Sequence, residues 1–300
     1  MRLLITGATG FVGGRIARCY VDRGDDVAVV VRTPSPDLEE TGVTQIPGGF
    51  AAIDPAMLEG VDVVVHAAAG SGPDLDTARA VNRDGTARIV DAATVAGVDR
   101  FVHISTTSVY DRSQAADGML SEDSPLMADE DGSGTAGSPY AITKAEAERE
   151  VQRAVEAGLS AAILRPPAIL GAAPTSTWGT RVPRLVIDGA TLPMPSRTTF
   201  GWVHVDDVVD AAVAAGDTSD VFVANVVGGH VPFATYLDAL VAMLPTPPSE
   251  PVFPDRDPWQ GRYATGRATS ILGIPIDRTF EDGMAEIADS WRAGDPGGEV

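Results

Sequence analysis

Short apolar runs alternate with amphipathic stretches along most of this chain. Leu3-Leu4-Ile5, Val61-Asp62-Val63-Val64-Val65, Phe101-Val102-His103-Ile104 and Ala161-Ala162-Ile163-Leu164 read as strands, and the continuous β-branched run Val27-Ala28-Val29-Val30-Val31 as a strand covered on both faces. A weaker strand is predicted near Val43 to Ile46, and another from Val221 to Val227. Between them, apolar residues recur at helical spacing: Ile16, Ala17, Tyr20 and Val21, then Ala80, Val81, Ile89 and Val90, with Asn82 to Thr86 reading as an interruption. A further helix opens at Ser138-Pro139, serine as N-cap and proline in the first helical position. Strand and helix in alternation predict the α/β class, a doubly wound parallel sheet. Past Arg165 the pattern changes to proline- and glycine-punctuated segments through Arg197. A helix then starts at His204-Val205-Asp206-Asp207 with an aspartate as N-cap, and helical patterns follow from Phe233 to Leu244 and from Phe280 to Trp291. The expected organisation is a sheet domain over 1–165, completed by parts of about 200–228, and a smaller substrate lobe from 166–200 and 229–300. Residues 111–138, rich in Asp, Ser and Gly, read as a mobile surface loop, and 245–258 as a connecting loop.

The turn between the first strand and first helix is Thr6-Gly7-Ala8-Thr9-Gly10-Phe11-Val12-Gly13-Gly14. In this context Gly7 permits a tight turn, Gly10 lets backbone approach a pyrophosphate, and Gly13 lets the helix pack close to the strand. Free N–H groups and the positive helix end then face the phosphates, so Gly7, Thr9, Gly10, Phe11, Val12 and Gly13 are candidate dinucleotide contacts. Arg32 ends the second strand, 19 residues beyond Gly13. An acid there suits the ribose of NAD and an arginine the 2′-phosphate of NADP, so NADP is favoured, with NAD left open. Ala67-Ala68-Ala69 allows close backbone approach to the cofactor ribose, and Ile104 and Pro166, at the ends of the fifth and sixth strands, join the cofactor candidates.

Tyr140 and Lys144 lie four apart on one helix and share a face. A phenol working near pH 7 needs its pKa of ~10 lowered by ~3 units, and an ammonium one turn away pushes in that direction. Lys144 is the only lysine among the 22 basic residues.

Composition narrows the partners. The formal charge of −20 argues against nucleic acid and anionic membrane surfaces. No apolar run reaches the ~18 residues of a membrane span, and the first strand begins at Arg2, leaving no room for a signal peptide. A single cysteine, Cys19, reads as core filler in a cytoplasmic protein. Acidic excess with one lysine is also the balance of a salt-adapted cytoplasm, although GC-rich coding equally trades lysine for arginine. The four histidines are scattered without ligand spacing, so no metal is expected at His204-Val-Asp-Asp.

The glycine spacing and its Thr-Gly-Ala-Thr-Gly lead resemble the short-chain dehydrogenase/reductase superfamily, and Gly10-Phe11-Val12-Gly13 resembles its extended branch, the NAD(P)-dependent epimerase/dehydratase family. His66-Ala-Ala-Ala, Asn82 with Gly85-Thr86, Ser105-Thr106-Thr107-Ser108-Val109-Tyr110, Glu122 to Pro125, Tyr140 to Lys144 and Arg165-Pro166 carry the likeness onward. It implies Thr106, Tyr140 and Lys144 as catalytic residues, Asn82 as a cofactor contact with a structural hydrogen-bond role as the rival, and a homodimer through a four-helix contact. Departures from the family pattern are Gly49-Phe50 in place of an Asp-Leu or Asp-Val pair at the adenine, and Asp111 in place of glycine. Thr107-Ser108 lack the carboxylates of a dehydratase. Ala168 stands where sugar-nucleotide members have asparagine, and Phe200 where they have an arginine for the diphosphate. The implied function is NADP-dependent interconversion of a ketone and a secondary alcohol on a small, non-nucleotide substrate, with Phe200 and Trp202 supplying apolar surface. A nucleotide-sugar epimerase, using Arg181, Arg184 or Arg197, is the alternative. A non-catalytic cofactor-binding regulator is the alternative of another class.

Overall fold

A computed structural model of the chain describes residues 1–72, 74–114, 118–127, 138–244 and 250–294. The chain runs through β1 (Arg2–Thr6), α1 (Phe11–Asp22), β2 (Asp26–Val31), α2 (Pro36–Glu39), β3 (Thr44–Pro47), β4 (Val63–His66), α3 (Leu75–Ala96) and β5 (Arg100–Ile104). It continues through β6 (Met119–Leu120), α4 (Pro139–Glu156), β7 (Ala161–Arg165), β8 (Ala168–Leu170), α5 (Val182–Ile187), β9 (Thr199–His204) and α6 (Val205–Gly216). The last elements are β10 (Phe222–Asn225), β11 (Gly229–Pro232), α7 (Phe233–Met243), β12 (Arg262–Tyr263), α8 (Arg267–Leu272) and α9 (Phe280–Ala293).

Seven strands make one sheet in the order β3-β2-β1-β4-β5-β7-β10, every neighbouring pair parallel. From β1 the chain steps outward to β3, then crosses back to β4 and steps outward the other way. Between β1 and β4 the order reverses, which in open α/β sheets opens a crevice beyond the strands' carboxyl ends. Alternation along the strands divides the core. Leu3, Ile5, Val29, Val65 and Val102 pack under α1 and α6, while Leu4, Val30, Val64, Phe101 and Ile163 pack under α3 and α4. The 12 residues of α1 are too few for a stable isolated helix. Burial of Ile16, Ala17 and Tyr20 holds it, each large side chain contributing about 1.5–3 kcal/mol.

The segments outside the seven-stranded sheet form a smaller lobe with its own core. A small sheet, β11-β9-β8, backs onto Phe233, Tyr236, Leu237 and Leu240 of α7 and Phe280, Met284, Ile287 and Trp291 of α9. Within it Phe200 stacks on Tyr236 at 4.8 Å and meets Trp178 edge-on at 4.8 Å.

Four expectations change. Asn82 to Thr86 do not interrupt the helix, because α3 is continuous through them and Asn82 and Thr86 find buried partners. His204, not an aspartate, caps α6: its Nδ1 accepts from the N–H of Asp206 at 3.1 Å. Asp206 and Asp207 instead occupy the first helical turn, paired with Arg15 and Arg278. The described parts of 111–138 are anchored, not a free loop: β6 pairs with β12, and Leu120 and Glu122 are buried. Positions 115–117 and 128–137 of that stretch, and 245–249 of the later loop, lie outside the described residues. Phe200 and Trp202 are buried in the lobe core, so they offer no open apolar surface to a substrate. No described helix is long and apolar enough to cross a membrane.

Candidate active site

The carboxyl ends of β1, β4, β5 and β7 bring the candidate residues to one edge of the sheet. After β1, Gly7 has φ +79°, and a Cβ there would stand 2.6 Å from the Ala68 nitrogen, so only glycine lets the β1 and β4 ends meet. The N–H of Gly10 closes the turn on the Gly7 carbonyl at 2.9 Å. A Cβ on Gly13 would lie 2.3 Å from that same carbonyl oxygen, which is why α1 can begin directly against the strand. Among the described residues nothing accepts from the N–H groups of Phe11, Val12 or Gly13, and no side chain caps α1. Thr9 is exposed at the turn's tip and Phe11 and Val12 are half-buried. This cradle of unpaired donors at a helix N-terminus fits a pyrophosphate.

Beside it, Arg32 is exposed at the end of β2 and has no hydrogen bond or ion pair among the described residues. Gly49 lies against its stem, and a Cβ there would be 3.3 Å from Arg32 Cγ. Phe50 turns inward, edge-on to His66 at 5.8 Å and over Gly85.

Ala67, Ala68 and Ala69 follow β4, with the N–H of Ala68 donating to Thr6 Oγ1 at 3.3 Å. Asn82 braces the next turn: Gly70 N–H donates to its Oδ1 at 2.8 Å, and its Nδ2 donates to Gly70 O and Thr143 Oγ1, both at 2.8 Å. With 1% exposure its amide is fully engaged within the protein, so in this structure it holds backbone in place and offers no free polar atom to a cofactor. His66 bridges the same layer, its ring nitrogens 2.6 Å from Thr6 Oγ1 and 2.9 Å from Thr86 Oγ1.

At the end of β5, Thr106 caps a short 3-10 turn, its Oγ1 accepting from the N–H of Ser108 at 3.1 Å. Pro166, buried after β7, accepts from the N–H of Thr107 at 3.0 Å and so fixes the Thr106 segment. Ser138 Oγ caps α4 by accepting from the Ala141 N–H at 3.2 Å, setting Tyr140 in the helix's first turn. The Tyr140 hydroxyl has no hydrogen-bond partner among the described residues, and burial pushes its pKa up to about 12. Lys144, 1% exposed, points at β5 and donates to Ile104 O at 2.9 Å. Burial brings its pKa down to about 8 against the attraction of Glu148. The expected assistance from ammonium to phenol is therefore not present here. The lysine is held by the Ile104 carbonyl, which also occupies that candidate cofactor contact.

A second buried layer escaped sequence reasoning. Glu148, one turn after Lys144, accepts from the Ser105 hydroxyl and from Arg165 Nε at 2.9 Å. Arg165 Nη1 reaches the Tyr110 hydroxyl at 3.0 Å, and that hydroxyl donates to Asn225 Oδ1 at 2.6 Å. The available signal was Tyr140, Lys144 and Glu148 at intervals of four on one helix face.

Among the described residues one group has metal-ligand character: His204, Asp206 and Glu286. Arg15 bonds both carboxylates, and His204 Nδ1 is occupied as the helix cap.

The comparisons agree with this geometry. The model of the NAD dependent epimerase/dehydratase family matches residues 3–227. Among curated proteins, the chain is similar to 2-alkyl-3-oxoalkanoate reductase of Stenotrophomonas maltophilia (strain K279a), 36% identical over 178 residues, 57% of this chain and 52% of that protein. The match thus spans about half of that relative. Among solved structures, MoeE5 in complex with UDP-glucose and NAD aligns with a TM-score of 0.82 and 25% identity, covering 98% of this chain and 99% of that one. UDP-glucuronic acid 4-epimerase from Bacillus cereus in complex with NAD aligns with a TM-score of 0.80 and 23% identity, over 98% and 99% of the two chains, a likeness of fold. The sheet order, the glycine cradle and the family match lead to one conclusion: this chain belongs to the NAD dependent epimerase/dehydratase family.

Proposed function

We propose that this protein is an NADP-dependent oxidoreductase that interconverts a ketone and a secondary alcohol on a small substrate without a nucleotide handle. The observation that carries the substrate class is the position of Phe200. It stands where sugar-nucleotide relatives place an arginine, yet it is 1% exposed in an aromatic core. Ala168, in place of their asparagine, is likewise buried at 9%. A diphosphate needs several donors, and these two positions supply none. The similarity to a 3-oxo acid reductase points the same way.

In this reading the cradle at Gly7 to Gly13 holds the pyrophosphate, and Arg32 takes the 2′-phosphate. When bound, the nicotinamide supplies or accepts a hydride. Thr106 donates a hydrogen bond to the substrate oxygen, and Tyr140 delivers the proton to it. A phenol near 12 is fully protonated at neutral pH, the form that reduction requires. For the reverse direction it must fall by about 5 units, or about 7 kcal/mol. A unit charge at 4 Å and effective dielectric 20 supplies about 4 kcal/mol of that. Lys144 contributes this part once its ammonium faces the phenol, and charge brought by the cofactor the rest.

An epimerase is the second reading, favoured by MoeE5, whose solved complexes hold UDP-glucose or UDP-glucuronic acid. Arg181 and Arg197 are exposed on the lobe and are the candidate anchors. Calorimetric titration with UDP-, GDP- and dTDP-sugars in the presence of cofactor separates the two. No binding, with NADPH consumed on a 3-oxo ester, supports the reductase. Micromolar binding with epimerisation seen by NMR overturns it.

A further inference from the structure

His103 lies next to the last residue of β5 with no exposed surface, and the chemistry proposed above makes no use of it. Its Nε2 is 3.2 Å from Lys144 Nζ. On its other side it stacks on His66, ring centres 5.3 Å apart and planes 26° apart, while both nitrogens of His66 are engaged by threonines. His103 Nδ1 has no partner among the described residues. An ammonium can only donate, so contact with Lys144 requires the Nε2 lone pair and places the imidazole proton on Nδ1. The orphaned nitrogen is thus the donor end of a ring whose acceptor end meets the lysine.

Beyond the Ile104 carbonyl at 2.9 Å, the groups around Lys144 leave few other sources of support for its charge. Its own helix presents Tyr140 and Glu148, β5 presents His103, β4 presents His66, and β7 presents Arg165, already paired with Glu148. Burial keeps His103 neutral, with the Lys144 charge adding to the effect, so the imidazole acts as a dipole and not as a second cation. We infer that His103 is a positioning residue for Lys144: through Nε2 it accepts from the ammonium, keeps that buried lysine protonated, and sets the resting place from which it turns to the phenol. This rests on the reading of Lys144 as the charge that assists Tyr140.

Lys144 is the only lysine of the chain, so full-length protein grown on lysine labelled with 13C at Cε gives one side-chain resonance to titrate. The parent should show a midpoint near 8. His103→Leu removes the acceptor and should lower the midpoint by about one unit, while His103→Gln, which keeps an acceptor, should return it toward the parent. The alkaline limb of kcat should move the same way. In the parent itself, long-range 15N spectra of labelled histidine should show His103 with its proton on Nδ1, a result that decides the matter even if His103→Leu does not fold. An unchanged midpoint in His103→Leu, or a proton on Nε2 below that midpoint, overturns the inference. Neither the lysine titration nor the 15N spectrum needs turnover, so a Tyr140→Phe variant that stays active would remove the catalytic reading and leave the titration result standing.

Discussion

Arg165 and Glu148 form an enclosed ion pair, Nη2 to Oε2 at 2.5 Å, with side chains 2% and 0% exposed. The pair ties β7 to α4 directly beneath the segment that carries Thr106. Burying two charges is costly, and removing one partner leaves the other unpaired, a loss of about 3–5 kcal/mol. Glu148→Leu should therefore lose that much in urea unfolding. Glu148→Leu with Arg165→Met should regain a large part of it. A double variant no more stable than the single one contradicts this assignment.

Gly13 offers a test of the cradle. A methyl group there meets the Gly7 carbonyl, a backbone atom that cannot swing aside, so the turn must open. Overpacking of this kind costs about 1–3 kcal/mol. An opened turn no longer presents its N–H groups together to a pyrophosphate, so Gly13→Ala should weaken cofactor binding roughly tenfold to a hundredfold. Fluorescence titration with NADPH checks it; parent-like affinity would mean that the phosphates bind elsewhere.

Arg32 tests cofactor choice. An arginine–phosphate bond is charge-assisted and worth about 1.5–3 kcal/mol. Arg32→Ala should lose about tenfold to a hundredfold in NADP(H) affinity and leave NAD(H) nearly unchanged. Equal affinities for both cofactors in the parent would show NADP preference to be wrong.

The two stacked histidines predict acid sensitivity. Burial pushes His66 down to about 3 and His103 well below the ordinary histidine value, so both stay neutral when folded. The unfolded chain binds their protons below about pH 6.5, so stability is full above that pH and falls as pH drops. Each contributes a slope of about 1.4 kcal/mol per pH unit. Denaturant unfolding between pH 7.5 and 5.5, above the range where most carboxylates titrate, should show a steep decline that His66→Gln makes shallower. A flat profile in the parent refutes neutral burial.

Much of the fold was legible because periodicity reports burial. The buried runs at Leu3, Val27, Val63, Phe101 and Ala161 became central strands, and the glycine spacing marked the turn that Gly7 and Gly13 require. Tyr140 and Lys144 were legible as a spacing, but the rotamer of the lysine was not. Only the structure shows the Ile104 carbonyl and His103 sharing its ammonium. Arg165 and Glu148 are 17 residues apart, and nothing local signals that they meet. Likewise an aspartate is the commoner helix cap, yet His204 takes the place because its Nδ1 reaches the Asp206 N–H first. Phe200 and Trp202 looked like pocket walls because no local pattern reveals the aromatic layer of Trp178, Phe233 and Tyr236 behind them.

The central claim, proton delivery by Tyr140 during hydride transfer to a non-nucleotide ketone, is tested most directly by following NADPH absorbance with a 2-alkyl-3-oxo acid or its ester. The parent should consume NADPH, and Tyr140→Phe should lose at least about a hundredfold in kcat, the lower range for a general acid, while its NADPH affinity stays within about twofold. Turnover by Tyr140→Phe at the parent's rate contradicts the account.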